Sequence, residues 1–298
     1  MERGSDITLG LVASQRTEND TDRIRPGVVT RCGLRWYKNR VVVNYDTDSK
    51  NIYRLQKNRD VVRNLLTMSY VTTGRLLLAN SFTQLTPETI HDLTRIYPFH
   101  STPKTARPVD AFTQKYPRIY DFKVSPVWHQ LTLYNADYEN KMDIGVTLAG
   151  NTAEGALGLN PNKEYYVYDF WNDAFVGKIS GNSKLSQQLR SGEARMMSVH
   201  EVREHPQFIS TNRHIMQGYV DLVQIEWLPG RNFLSGISKI TGDDPYVITV
   251  AANGYVPKTA KVNDPDTQAV LENTDRGLVK LILTRSENAI VEWTVRFE

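Results

Sequence analysis

The stretch that decides the fold reads Leu9-Gly10-Leu11-Val12-Ala13-Ser14-Gln15-Arg16-Thr17-Glu18-Asn19-Asp20. It begins as an apolar run, which is typical of a buried strand. It ends in polar and charged side chains, and in an α/β barrel the carboxyl end of a strand is where catalytic residues lie. Arg16 and Asp20 are therefore the candidate functional residues, and the competing interpretation is a solvated surface loop.

The composition is that of a globular protein with little charge bias. The chain has 298 residues, of which 40% are hydrophobic and 23% are charged, and its net charge is +3. This excess is too small to predict a nucleic-acid partner, and no cluster of Lys and Arg with interleaved aromatic residues occurs. Cys32 is the single cysteine, so no intrachain disulfide is expected. No apolar run is long enough to predict a membrane span.

Residues 7–100 alternate apolar runs with amphipathic segments. Val41–Val43 predict a second buried strand that ends in the acidic cluster of residues 44–48, and Leu76–Ala79 predict a third. Strands that alternate with helices predict a parallel α/β arrangement. About three such units are present, which is too few to close a barrel.

Two helices are predicted between and after these strands. Residues 60–68 carry apolar side chains on one broad face, which is typical of an amphipathic helix. Thr86 and Pro87 are the residue types expected at an N-cap and at the first helical position. A helix is therefore predicted to begin at Pro87.

The pattern changes at about residue 101. Residues 101–108 are typical of a linker, and short alternating segments with turn residues between them then predict a β-sandwich over 109–212 and a small second β module over 213–298. The polar segment 253–275 is predicted to be a loop. The aromatic run 165–171 predicts a sandwich core, with a sugar-binding face as the alternative.

The histidines lack the spacing of metal ligands, and no glycine-rich phosphate loop occurs. The sequence therefore predicts neither a metal site nor a cofactor.

Together, the opening stretch and the acidic strand end resemble the α-galactosidases of glycoside hydrolase families 27 and 36. In that clan a late barrel strand leads into an Arg-x-x-x-Asp motif, and Arg16-Thr17-Glu18-Asn19-Asp20 is similar in spacing and in both charged residues. The clan's next strand ends in Asn-Asp-Pro-Asp. Here the corresponding residues are Tyr45-Asp46-Thr47-Asp48, which keep both acids and lack the Asn and the Pro.

The resemblance implies an α/β plus all-β fold. Residues 1–108 would be the last strands and helices of a (β/α)₈ TIM-barrel catalytic domain. An antiparallel β-sandwich over 109–212 and an immunoglobulin-like β module over 213–298 would follow it.

The resemblance also implies retaining hydrolysis of a terminal α-linked sugar, galactose above all, from an oligosaccharide or glycan. Asp20 would be the general acid/base, and Arg16 would donate hydrogen bonds to a sugar hydroxyl. Asp46 or Asp48 would accept hydrogen bonds from sugar hydroxyls or hold Arg16 in place.

A retaining glycosidase needs a second carboxyl group, the nucleophile, about 5 Å from the first. In the clan it lies on an earlier strand, and no Asp of this chain fits that motif. We therefore expect this sequence to be a fragment that is inactive alone, with the nucleophile upstream. A secretion signal would lie there too, so a periplasmic or extracellular location is expected. The oligomeric state is left open.

Two other functions are compatible with the sequence. The first is a carbohydrate-binding or scaffold protein in which the β modules act without catalysis. The second is a transglycosidase of the raffinose-synthase type, in which another sugar replaces water as the acceptor.

Overall fold

The computed structural model describes residues 34–298 together with one short strand, Ser14–Arg16. For that strand, for residues 46–49 and for Asp275, the backbone alone is described. The described residues fall into two compact units. The first holds the residues up to Glu164 and Ile179–Met197, and the second holds Tyr165–Lys178 and Ser198–Glu298. Most of their regular structure is antiparallel β-sheet with few helices, while the predicted three-part division of the chain stays a prediction.

The first unit contains a three-stranded parallel sheet. Its strands are β1 (Ser14–Arg16), β2 (Asn44–Lys50) and β3 (Arg75–Leu78), in that order across the sheet. The predicted parallel arrangement is therefore confirmed for these three strands. Within the described ranges the sheet does not close into a barrel, so its place in a partial (β/α)₈ barrel stays a prediction.

The predicted strand at Val41–Val43 is wrong. The backbone N–H groups of all three valines donate to the carbonyl oxygen of Lys38, which closes a turn. Arg40, inside this turn, has a left-handed φ of 60°. Val41 and Val42 are 52% and 50% exposed. The strand instead begins at Asn44, because the turn, and not the apolar triplet, sets where the extended backbone starts.

Helix α1 (Arg59–Thr72) connects β2 to β3, which confirms and extends the helix predicted over 60–68. Asn58 is the N-cap, and its side chain accepts from the Val61 N–H at 3.3 Å. At the other end Arg40 donates to the carbonyl oxygens of Tyr70 and Thr73. A cation at this end of a helix satisfies free carbonyls and complements the helix dipole.

Helix α2 (Pro87–Thr94) begins at the predicted residue, with Thr86 as the N-cap that accepts from the Thr89 N–H. Asp92 of α2 is buried and accepts from Arg59 and Arg63 of α1 at 2.8 and 2.9 Å. Burial alone would raise the pKa of Asp92, but the two guanidinium groups outweigh burial and hold it below its ordinary value. This ion cluster fastens the two helices together.

None of the helices in residues 34–298 combines the length and apolar character of a membrane span.

Antiparallel strands make up the remainder of the regular structure. They are β4 (Arg107–Pro108), β5 (Ile119–Ser125), β6 (Trp128–Tyr134), β7 (Met142–Thr147), β8 (Glu164–Asp169), β9 (Ala174–Ser180), β10 (Lys184–Leu189), β11 (Ala194–Glu201), β12 (Gln207–Thr211), β13 (Leu222–Leu228), β14 (Phe233–Ile240), β15 (Tyr246–Ala251), β16 (Pro257–Val262), β17 (Gln268–Asn273), β18 (Leu278–Thr284) and β19 (Ala289–Phe297).

In the first unit, β4, β5 and β6 pair in sequence order, and β7 pairs with β10. In the second unit, two four-stranded sheets have the orders β12-β15-β18-β17 and β13-β14-β19-β16. Their central strands bury alternate side chains such as Trp293 and Val295 on β19. This alternation agrees with the predicted sandwich architecture.

The predicted loop over 253–275 is wrong, because β16 and β17 lie within it. Both are edge strands, each paired on one side only, with β19 and β18 respectively. Edge strands carry polar residues that discourage pairing with other chains, so their sequences are similar to those of loops.

The aromatic run that follows Glu164 is part of the core, as predicted. Tyr165 and Tyr168 on β8 are 1% and 3% exposed, and Phe170 and Trp171 are also buried. Tyr168 packs with Ile209, Ala251 and Leu278.

A buried carboxyl group lies inside the second unit. Asp221 Oδ2 accepts from Thr211 Oγ1 and from the Tyr246 hydroxyl, both at 2.7 Å. Its Oδ1 is buried and forms no hydrogen bond among the described residues. Burial raises the pKa of Asp221, which the two hydrogen bonds only partly offset.

We predict that Asp221→Asn changes how stability depends on pH. Because the folded-state pKa is raised, the wild type is stabilised fully below the unfolded pKa of about 3.9 and loses that stability as the pH rises through the folded pKa. The free energy of unfolding of the wild type relative to D221N should therefore fall as the pH rises above about 4, by about 1.4 kcal/mol for each unit between the two pKa values. Urea unfolding at each pH measures this.

Asp264→Asn is the matched control of opposite sign. The hydrogen bond from Thr267 holds the pKa of Asp264 below its ordinary value, so its contribution is lost as the pH falls. Equal pH profiles for the wild type and D221N would contradict a raised pKa of the buried Asp221 carboxyl group.

Candidate functional site

The strands β2 and β3 end together at one edge of the parallel sheet, where Lys50 is paired with Leu78, and Asp46 lies four residues before that edge on β2. Arg16 is the last residue of β1 and is paired with Asp46 of β2, and Asp46 is paired with Arg75 of β3. Neighbouring strands lie about 4.8 Å apart. The backbones of Arg16 and Asp46, which the sequence assigns to one site, are therefore adjacent.

The predicted position of the acids relative to their strand is wrong. Asp46 and Asp48 do not follow the end of β2 but lie inside it, because the strand continues to Lys50. The register shifts between Asp46 and Ser49. Ser49 lies three residues after Asp46 on β2, but its partner Leu77 lies only two residues after Arg75 on β3. This is a β-bulge, a feature that often lies next to active sites and changes the direction of side chains. Asp20 lies outside the described residues.

Two loops continue from this edge and are joined by hydrogen bonds. The Ala79 N–H, after β3, donates to the carbonyl of Lys50 at the end of β2 at 2.9 Å. The Ile52 N–H, after β2, donates to Asn80 Oδ1 at 3.1 Å. Lys50 and Ile52 are fully buried, so these bonds fix the start of both loops.

A second pair of hydrogen bonds holds the loops further along. Gln56 Nε2 donates to the Gln84 carbonyl at 3.1 Å, and Gln56 Oε1 accepts from the Thr86 N–H at 2.9 Å. One amide side chain thus bridges the loop after β2 to the N-cap of α2. Tyr53 lies on the loop after β2 and Phe82 on the loop after β3, and their side chains are 47% and 57% exposed.

Two amide atoms near this edge have no hydrogen-bond partner. They are Asn51 Oδ1, an acceptor, and Asn80 Nδ2, a donor, and both are buried within the described part of the chain. Buried polar atoms without partners are costly and uncommon in folded proteins. A sugar hydroxyl both donates and accepts, so this pair matches the hydrogen-bonding capacity of a carbohydrate or of an ordered water.

The sequence reasoning missed Asn51, Tyr53 and Phe82 as site residues. The available signal was position, because Asn51 and Asn80 each follow a strand of the parallel sheet within two residues. The sequence predicts the start of β2 at Val41, three residues before the observed start at Asn44, so the position of Asn51 directly after the strand is not apparent.

We predict that Asn80→Ala loosens the two loops. The variant leaves the buried Ile52 N–H without an acceptor, which should lower the free energy of unfolding by about 1–3 kcal/mol. Hydrogen exchange at the Ile52 amide and urea unfolding measure the two effects.

Ser81→Ala is the matched control, since Ser81 is exposed and its hydroxyl forms a hydrogen bond with the nearby Thr83 hydroxyl. It should stay within about 0.5 kcal/mol of the wild type. If N80A is as stable as S81A, the Asn80 bond does not hold the loops.

Comparison with known proteins finds no matching family model and no matching curated protein. Among solved structures, an α-galactosidase from Saccharomyces cerevisiae, determined with raffinose, matches with a TM-score of 0.51 and 11% identity. The match covers 65% of this chain and 60% of that one.

Two other glycoside hydrolases match with TM-scores too low to support an argument. α-Galactosidase I from Mortierella vinacea has a TM-score of 0.41 and 13% identity over 63% of this chain and 53% of that one. An isomalto-dextranase from Arthrobacter globiformis T6, complexed with panose, has a TM-score of 0.44 and 11% identity, and the match covers 95% of this chain and 55% of that one.

The chain thus spans about 60% of the length of the yeast α-galactosidase. At 11% identity the likeness concerns the fold alone. The chain has a distant α-galactosidase-like fold.

Proposed function

We propose that this chain is part of a retaining glycoside hydrolase that removes terminal α-linked galactose from an oligosaccharide or glycan. One observation carries the proposal, which is the register that sets Arg16 beside Asp46 on neighbouring parallel strands. The distant α-galactosidase-like fold gives it a context.

In this proposal Asp20 is the general acid/base. It lies four residues after Arg16, the last residue of β1. Asp20 would protonate the leaving oxygen and then accept a proton from the attacking water. For the first step it must hold its proton near neutral pH, which a neighbouring carboxylate and partial burial favour.

Arg16 and the acids of β2 would orient the sugar. A guanidinium presents a fixed fork of donors, which suits pairs of sugar hydroxyls. Asp46, whose backbone is paired with that of Arg16, would hold that fork through a charge-assisted hydrogen bond. Asp48 lies in the bulge and is the second candidate acceptor for sugar hydroxyls.

The nucleophile of this proposal is not among these 298 residues. Retaining hydrolysis requires it, and no second Asp in the sequence has the expected motif. A polypeptide segment upstream would supply it, and a location outside the cytoplasm remains a prediction. The 298-residue chain should therefore bind substrate without turning it over.

We predict that the chain binds raffinose, a terminal α-galactoside, with a dissociation constant of about 1 mM, near the weak end of specific binding. Arg16→Ala should weaken binding about tenfold, because it removes the donors to the sugar. Asp20→Asn should bind like the wild type, since its role is proton transfer. Isothermal titration calorimetry measures binding, and an aryl α-galactoside assay should show no turnover.

Arg118→Ala removes the same charge far along the sequence and is the matched control. Equal binding by R16A and R118A, or no binding by the wild type, would refute the proposed site. If the wild-type chain hydrolyses the aryl α-galactoside and Asp20→Asn abolishes this turnover, the acid/base assignment stands. The expectation that the nucleophile lies outside these 298 residues is then refuted.

A further inference from the structure

A group of partly exposed aromatic rings lies in the second unit. His205 and Trp227 are stacked, with ring centroids 5.5 Å apart and an interplanar angle of 2°. Tyr255 meets Trp227 edge-on at 5.4 Å, and the buried Phe297 supports Trp227 from below at 6.1 Å. We call His205, Trp227 and Tyr255 the Trp227 platform.

Hydrogen bonds fix the segments that carry these rings. Asn253 has a left-handed φ of 51°, and its side chain donates to the His205 carbonyl at 2.7 Å. The same side chain accepts from the Tyr166 hydroxyl at 2.6 Å. Val256, next to Tyr255, exchanges two backbone hydrogen bonds with Glu298. The platform is therefore pre-formed, which lowers the entropy cost of binding a ligand.

The exposed polar tips of the platform are available to a ligand. The Tyr255 hydroxyl, Trp227 Nε1 and His205 Nε2 form no hydrogen bond among the described residues, while His205 Nδ1 contacts the Pro206 carbonyl. Rings with a polar edge are typical of surfaces that bind amphipathic molecules. This combination differs from a purely apolar groove.

Two cationic side chains share one carboxylate on the neighbouring strands. Lys258 and Arg296 both lie near Glu298, with N–O distances of 3.2 and 3.5 Å. These three side chains leave one positive charge, so the choice of ligand depends on the polar edges of the rings.

We propose that the Trp227 platform binds a carbohydrate chain. The C–H faces of the sugar rings would pack on Trp227 and Tyr255, and the polar tips would hydrogen-bond to hydroxyl groups. A hydrophobic peptide is less well suited, because it would leave those tips without partners. The site needs neither Asp20 nor Arg16, so it stands apart from the proposed hydrolase function.

Affinity electrophoresis of the 298-residue chain tests the proposal, in gels that contain galactomannan and in gels that contain dextran. At least one polysaccharide should retard the wild type. Tyr255→Ala and Trp227→Phe should each weaken retardation, Tyr255→Ala by about tenfold in affinity, as expected for an aromatic side chain that contacts the ligand. Phe112→Ala, which removes an exposed ring of the first unit, should migrate as the wild type does.

Circular dichroism and thermal unfolding of each variant separate lost binding from lost folding, and Tyr255→Ala is the informative variant because its side chain is the more peripheral. No retardation of the wild type in either gel overturns the proposal. Retardation that Tyr255→Ala and Trp227→Phe leave unchanged, or that Phe112→Ala abolishes, also overturns it.

Discussion

The parallel pairing of β2 with β1 and β3 is the constraint on which the proposed site depends. Parallel strands cannot be joined by a tight turn, so a crossover helix must connect them. Helix α1 is that connection, capped by Asn58 at its start and by Arg40 at its end. The pairing brings Arg16 beside Asp46 although 29 residues separate them in the chain. Without the pairing of β1 with β2, these two residues would have no fixed relation.

The sequence predicts best those features that local physics decides. Thr86 and Pro87 identify the start of α2, because capping depends only on adjacent residues. The central strand β14 buries alternate side chains, which is the pattern from which the sequence predicts β structure here. The sequence fails where neighbours decide. The strand β2 is mostly polar, and only pairing on both sides makes it extended, while the edge strands β16 and β17 are similar to loops.

The candidate site follows the same division. The charges of Arg16, Asp46 and Asp48 are visible in the sequence, as is the resemblance of their spacing to an α-galactosidase motif. The exposed rings of Tyr53 and Phe82 are not, because their placement depends on hydrogen bonds between two loops that are distant in the chain. The Trp227 platform depends likewise on Asn253, which joins segments from different strands. Such groupings belong to tertiary structure and leave no periodic pattern.

The central claim is that the carboxyl edge of the parallel sheet recognises a terminal α-linked sugar. Backbone amide chemical shifts of the ¹⁵N-labelled chain, followed while methyl α-galactoside or methyl β-galactoside is added, test this most directly. The account predicts that the α-anomer shifts the amides of Arg16, Asp46 and residues 51–54, and that the β-anomer shifts them less. Equal responses to both anomers, or shifts confined to other parts of the chain, would contradict it.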